Sequence, residues 1–259
     1  MYTDTKTIFN ALAEQYDAYR PHYPAEAILF LITLAELDRT SDVADIGTGT
    51  GRIALELAKY VRLVYAVDTA AAMLEQLNER AIEEGLTNIR TIEASAEDTG
   101  LGIESLSMVV LAQSFHWVDK PAALKEMHRI LEPNKALVVM WNQVQNTSDG
   151  YYREIVSQIK RFNPSYRGGA DILSADFQPT IERSGLFSGI DQFSFPFEAQ
   201  YAFEAYIGFL LSKSYIGVGI PSDKLPAFME EVYTILAKYF PNGKVLEKYE
   251  TVMVVARKK

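Results

Sequence analysis

The chain has 259 residues, 48% of them hydrophobic and 23% charged, the composition of a folded protein with a sizeable core. Its formal charge of -9, without any basic block, argues against nucleic acid as a partner, because phosphates need clustered cations. The lack of cysteine excludes disulfides, thiolate metal sites and cysteine nucleophiles. No secretory pattern opens the chain and its longest apolar run, 27–35, falls short of the ~20 residues of a membrane span, so a cytoplasmic protein with no membrane segment is expected.

Ile8, Phe9, Leu12, Ala13 and Tyr16 recur at helical spacing until YRPHYP, where prolines break the run. Pro24 then opens a helix over 24–37, and residues 1–40 are expected to cap the fold. A buried strand over 42–46 leads into GTGTG and a helix over 51–60. Strand 63–67, ending at Asp68, is followed by helix 71–84, closed by Gly85. Strands over 89–93 and 107–111 come next, then QSFHWVD, a helix over 121–131, a turn at Pro133 and Asn134, and a strand over 136–141. Strands alternating with helices at this pace predict a parallel, doubly wound α/β sheet. Beyond Trp141 the pattern loosens. Residues 177–184 read as a helix, 192–198 and 251–256 as strands, and 202–214 and 223–239 as helices.

In such a sheet, ligands bind beyond the carboxyl ends of the strands, at the switch point beside the first one. Glycine there allows a sharp turn and close approach of a ligand, although a tight turn alone would also use it. The dinucleotide pattern G-x-G-x-x-G is not met, because the spacing is Gly47-x-Gly49-x-Gly51 followed by Arg52, and no P-loop is present. Asp45 stands two residues before the first glycine. Asp68, at the tip of the second strand, can accept from both hydroxyls of a ribose, which suits a nucleoside ligand, NAD included.

VADIGTGTGRIA, YAVDTAAAML and EASAED resemble, in this order, the first three motifs of the class I S-adenosylmethionine (SAM)-dependent methyltransferases, a likeness that runs over residues 8–142. It implies a Rossmann-like, doubly wound, seven-stranded α/β sheet, mostly parallel with an antiparallel C-terminal strand. The whole chain, 1–259, would form one domain, with a cofactor-binding core over 41–142 and helical lid insertions over 143–176 and 200–242. The resemblance implies SAM as cofactor and S-adenosylhomocysteine as product. Gly47 and Gly49 would pass the methionine portion, with Asp45, Thr48 and Gly51 around them and Gln113 after the fourth strand. Asp68, with Thr69, would hold the ribose; Met73 would lie against the adenine, unless it only packs the helix. Ser95, Ala96 and Glu97 would frame the adenine edge. Relatives often carry a glycine and an acidic residue where this chain has Ala94 and Ser95. YDAYRPHYP together with AQSFHWVD is similar to the trans-aconitate methyltransferase-like subgroup. That likeness implies Tyr16 and Arg20 closing over the cofactor, Arg20 against its carboxylate; the alternative is plain packing by Tyr16 and a solvated Arg20.

Methyl transfer from a sulfonium is an in-line displacement that needs alignment and a dry cavity. A base is required only if the acceptor must lose a proton, whereas a carboxylate acceptor needs a cationic clamp. His116, just past the fourth strand, is the candidate base, or else it orients the SFHW turn. His22, Tyr23, Trp117 and Arg167 are candidate contacts to the acceptor, with Arg161 and Lys213 as further cations. No metal is expected. The reading is a methyltransferase, monomeric or homodimeric, acting on a small-molecule carboxylate or hydroxyl. A non-catalytic SAM-binding protein and an NAD-dependent oxidoreductase are the alternatives.

Overall fold

A computed structural model describes residues 19–168 and 176–259. The helix expected around Ile8–Tyr16 lies outside them. The described chain runs α1 (Ala25–Leu34), β1 (Asp42–Ile46), α2 (Arg52–Ala58), β2 (Leu63–Asp68), α3 (Ala71–Glu83), β3 (Ile89–Glu93), β4 (Leu106–Ala112), α4 (Lys120–Ile130) and β5 (Leu131–Val144). It continues through α5 (Gly150–Phe162), α6 (Phe177–Ser184), β6 (Phe187–Ala202), α7 (Phe203–Leu211), α8 (Ser214–Gly217), α9 (Leu225–Tyr239) and β7 (Lys244–Lys258). The seven strands make one sheet in the order β3-β2-β1-β4-β5-β7-β6. The first five pair in parallel, and β7 enters antiparallel between β5 and β6. The doubly wound architecture with an antiparallel C-terminal strand is therefore present.

Strand alternation assigns each side chain to a layer. Ala44, Val109, Leu111, Leu137 and Val139 point to the face covered by Leu124 and Met127 of α4 and Ile181 of α6. Val43, Met108, Val110, Val138 and Met140 point to the opposite face, under Leu31 of α1, Leu57 of α2 and Leu77 of α3. Central strands with both faces covered read as unbroken apolar runs, which is why their limits were legible. Helix boundaries carry local causes as well. Asp119 Oδ1 accepts from the Ala122 N–H at 3.0 Å to cap α4. Gly85, at φ +68, closes α3, with Leu86 N–H reaching the Ala81 carbonyl at 2.8 Å.

Three strands are longer than the sequence reading. β6 and β7 form a hairpin whose register runs from Ala202↔Lys244 to Phe187↔Lys258. The far half of that hairpin leaves the core and carries a third apolar cluster, in which Val245 and Tyr249 meet Tyr151, Phe209, Phe228 and Val232 of α5, α7 and α9. These helices, inserted after β5 and between β6 and β7, roof the carboxyl edge of the sheet. The turn at Pro133 and Asn134 is a bulge within β5, with Asn134 at φ +61 and pairing displaced between Leu131 and Ala136. No helix among the described residues is long and apolar enough to cross a membrane.

Phe115 sits at the end of this framework, 1% exposed and edge-on to Phe177 at 5.1 Å, and it anchors the turn that follows β4. Phe115→Ala is expected to lower stability by about 3–5 kcal/mol through the cavity it leaves. Urea unfolding measures this, and a loss below about 1 kcal/mol would show that the turn is not anchored there.

Candidate functional site

A cavity of about 440 Å³ lies beyond the carboxyl ends of β1 and β4, where the strand order reverses. Its floor is the loop after β1, in which Gly47, Gly49 and Gly51 all have positive φ, at +69, +55 and +84. The glycines have different reasons to be there. A Cβ on Gly47 would come within 2.4 Å of Ser114 Cβ, and one on Gly51 within 2.6 Å of Leu77 Cγ, whereas a Cβ on Gly49 would meet nothing within 4 Å. Gly47 and Gly51 are thus demanded by the protein's own packing; Gly49 opens onto the cavity.

Two aspartates shape the loop. Asp68 Oδ2 accepts from the Gly49 N–H at 2.8 Å and its Oδ1 from Ala70 N–H at 2.9 Å, so the tip of β2 grips the loop of β1. Burial raises the Asp68 pKa above the usual carboxylate value, against the pull of these N–H donors. Asp45 is 1% exposed; its Oδ2 accepts from the Thr48 hydroxyl at 2.7 Å and the Ala54 N–H at 3.2 Å. Its Oδ1 is buried without a partner, and desolvation pushes the carboxyl up to about 7.

The wall is the turn after β4. Gln113, at φ +58, donates its N–H to Met140 O at 2.9 Å, and Ser114 donates its hydroxyl to Ile46 O at 2.7 Å. His116 lines the cavity with its ring 5.2 Å from that of Trp117. Burial first, then the positive charges of Arg20 and Lys120, lower the His116 pKa to about 4, so the imidazole is neutral at physiological pH.

Opposite stands the segment before α1. Tyr19 packs so tightly on Gly208 that a Cβ there would lie 2.5 Å from its ring. Arg20 donates from Nε to Ser212 Oγ at 3.0 Å and from Nη2 to Ser212 O at 3.2 Å. The roof comes from Ser165–Gly168, Phe209, Ser212–Tyr215 and Tyr249. Asn163 fixes that roof by donating to Tyr215 O at 2.8 Å while accepting from Ser165.

Of the expected site residues, Arg20, Tyr23, Asp45, Gly47, Thr48, Gly49, Gln113, His116, Trp117 and Arg167 line this one cavity. The expected adenine side does not. Met73 is 1% exposed, packed with Ala70 and Ala72; Ala96 is 8% exposed in the core; Ser95 pairs with Asp98. Glu97 Oε1 accepts from the Asp119 N–H at 2.7 Å. Gly51, Asp68 and Thr69 also stand outside the lining, as does His22, which is exposed and accepts at its carbonyl from Asn142 at 3.5 Å. Tyr16 lies outside the described residues. Sequence reasoning missed Arg52, Asn142, Ser212 and Tyr249 as lining residues. Arg52 had been weighed only as a break in the dinucleotide pattern, and Tyr249 carried a signal only in the alternation of β7. No cluster of His, Asp and Glu among the described residues has the arrangement of a metal site.

A glycine loop after β1, an acidic tip on β2 and this strand order define the class of fold that binds a nucleoside cofactor at the switch point. Residues 43–134 match the family model described as a methyltransferase domain. An uncharacterised methyltransferase-like protein of Schizosaccharomyces pombe is 32% identical over 145 residues, 56% of this chain and 54% of that protein. An uncharacterised methyltransferase of Mycobacterium tuberculosis is 27% identical over 239 residues, 91% of this chain and 88% of that one. Among solved structures, the YcgJ protein of Bacillus subtilis superposes with a TM-score of 0.58 at 20% identity, covering 91% of this chain and 99% of its own. Phosphoethanolamine N-methyltransferase 2 of Haemonchus contortus, solved with SAM, gives a TM-score of 0.53 at 15% identity, over 96% of this chain and 57% of that one. Residues 43–134 thus match a methyltransferase domain, on the fold of the SAM-dependent methyltransferases, and SAM is the cofactor that this match supports.

The unequal glycines make a paired test. Gly49→Ala is expected to fold with a loss of about 1–2 kcal/mol, the cost of a side chain in the left-handed region, yet to bind SAM at least tenfold more weakly. Gly47→Ala should cost more stability, because it must also displace Ser114. Urea unfolding with calorimetric titration of both variants checks the pair, and an unaltered SAM affinity in Gly49→Ala would remove the loop from the cofactor site.

Proposed function

We propose that the protein transfers the methyl group of SAM to the carboxylate of a small-molecule acceptor held under the helical roof. The observation that carries this reading is the charge of the cavity: Arg20, Arg52, Arg167 and Lys213 line it, against the single carboxyl of Asp45. An acidic protein that gathers four cations around one buried space has a site suited to an anion.

The residues suit SAM on two counts. Asp45 presents a buried oxygen that lacks a partner, matched to an ammonium, and the space above Gly49 is open to a ligand backbone. Gly47, Thr48 and Gly49 would cradle the methionine portion and Arg20 its carboxylate. Asp68 keeps lone pairs for ribose hydroxyls beyond those taken by Gly49 and Ala70. Met73, Ser95, Ala96 and Glu97, with Thr69, would form the adenine end once it opens; Tyr16 would close over it. When bound, SAM supplies an electrophilic methyl group on a sulfonium. The chain's own contribution is alignment, exclusion of water by the roof and neutralisation of the acceptor's charge.

The state of His116 selects among acceptors. An imidazole whose pKa is near 4 holds a proton too weakly to take one from an alcohol or phenol efficiently. An oxygen that is already ionised needs no such help. His116 and Trp117 then serve as walls, with Tyr23 and Arg167 at the acceptor end.

Acceptors sharing one carbon skeleton but ending in carboxylate, amide or alcohol, assayed with radiolabelled SAM, test the reading. Turnover should be confined to the carboxylates, and His116→Ala should keep more than a tenth of it. Turnover of the alcohols alone, with a loss of 100-fold or more in His116→Ala, would instead make His116 a base.

Asp45 predicts a pH dependence. In the free protein its carboxyl is protonated below about 7, and pairing with an ammonium favours the ionised form, so binding must expel a proton at low pH. SAM affinity should rise by up to about tenfold per pH unit between pH 5 and 7 and level off above, while Asp45→Asn should be flat. Calorimetry across that range decides; a flat profile for the wild-type protein would separate Asp45 from the ammonium.

A further inference from the structure

The four cavity cations are not equally available. Arg20 is turned onto Ser212, and Arg167 donates from Nη1 to the carbonyls of Pro164 at 2.9 Å and Tyr166 at 3.2 Å within its own loop. Arg52 lies across the cavity at the start of α2, beside the glycine loop, and in the roof Lys213 differs from Arg20 and Arg167. Its Nζ lies 4.5 Å above the Phe209 ring, facing the cavity, with no hydrogen-bond or ion-pair partner among the described residues. An ammonium kept on an aromatic face within a roofed cavity retains its donors for a ligand.

Lys213 follows α7, and one buried group fixes that helix. Glu247, 0% exposed on β7, accepts at Oε1 from the Tyr206 hydroxyl of α7 at 2.6 Å and the Tyr151 hydroxyl of α5 at 2.7 Å. Two residues along the same strand face, Tyr249 lines the cavity and meets Phe209 edge-on at 6.4 Å. The carboxyl thus pins both roof helices to the sheet directly behind the cavity wall; burial raises its pKa, against the pull of the two tyrosine hydroxyls and the nearby charge of Lys213. The acceptor end is aromatic besides, with the rings of Tyr166 and Tyr215 4.8 Å apart.

We propose that Lys213 is the specificity-determining residue of the acceptor pocket, pairing with the carboxylate of an aromatic or similarly flat acid, and that Glu247 is a positioning residue that holds Lys213 over the pocket through Tyr206. The proposal rests on the carboxylate-acceptor reading above and adds to it the residue that reads the charge.

The test uses the full chain saturated with S-adenosylhomocysteine, with phenylacetate and phenylacetamide as probes, titrated by calorimetry. The wild-type protein should bind the acid at least tenfold more tightly than the amide. Lys213→Met should abolish that preference while leaving S-adenosylhomocysteine affinity within twofold, Lys213→Arg should restore part of it, and Lys125→Met, an exposed change on α4, should leave it intact. Tyr206→Phe should weaken phenylacetate three- to tenfold at unchanged S-adenosylhomocysteine affinity; a merely structural tyrosine would lower the melting temperature without moving the probe.

The failures separate. If S-adenosylhomocysteine does not bind, the cofactor site is wrong. If acid and amide bind alike, or neither binds at millimolar concentration, both the carboxylate reading and this proposal fall. If the preference survives in Lys213→Met, the proposal alone fails. A tenfold loss of S-adenosylhomocysteine affinity in Lys213→Met, with the preference kept, would assign Lys213 to the cofactor's carboxylate instead.

Discussion

The site depends on a backbone constraint. After β1 the chain must turn from a buried strand into α2 within five residues while leaving room above the turn, and it does so with left-handed residues at alternate positions, 47, 49 and 51. Side chains with a Cβ are strained in that region, and at two of the three positions they would also strike Ser114 or Leu77. The neighbouring strand secures the result. The Val67 carbonyl accepts from the N–H groups of Gly47 and Thr48, at 2.8 and 3.0 Å, and the carboxylate of Asp68 accepts from that of Gly49. Asp68 therefore does structural work in the same place where the motif likeness implies a ribose contact, and one carboxylate has the lone pairs for both.

The electrostatics follow from burial more than from net charge. The chain is acidic overall, yet its cavity is cationic, and two ionisable groups on its wall, Asp45 and His116, are displaced in the direction their surroundings require. Asp45 is raised by loss of water, while His116 is lowered by loss of water and by the nearby positive charges. The two shifts share a cause. A roofed cavity solvates charge poorly, so a lone carboxyl tends to keep its proton and a lone imidazole tends to refuse one. An anion entering such a space is stabilised by cations that water no longer screens.

The central sheet was legible because β1, β2, β4 and β5 carry residues buried on both faces and are bounded by turn residues, so hydrophobic runs marked them closely. The cofactor loop was legible for a related reason, since three alternate glycines have few uses other than a turn that must stay open. The roof was not. Its helices were found roughly, but Tyr151, Tyr206 and Glu247 are separated by 41 to 96 residues and meet only through the hairpin of β6 and β7. Glu247 stands before the strand read over 251–256, where nothing local marks it as buried. Only the long hairpin, extending past the core to form a third apolar cluster, turns it inward. Met73 shows the opposite case. The sequence left it between an adenine contact and packing of its helix, and its side chain packs with Ala70 and Ala72 at the start of α3.

Cofactor and acceptor recognition are thus built from different materials. The side proposed for the cofactor is backbone geometry, set by residues 45 to 68. The roof, where the acceptor would sit, is assembled by side chains from two remote segments, residues 19–20 and β7, which converge on α7 and the residue that follows it. Tyr19 lies on Gly208, Arg20 grips Ser212 and Glu247 holds Tyr206. Each of these contacts is a single packing or hydrogen-bonding event, replaceable by substitution without disturbing the sheet. A fold arranged this way can retain its methyl donor while its acceptor changes, because shifting α7 alters which cation overhangs the pocket and leaves the glycine loop where it was.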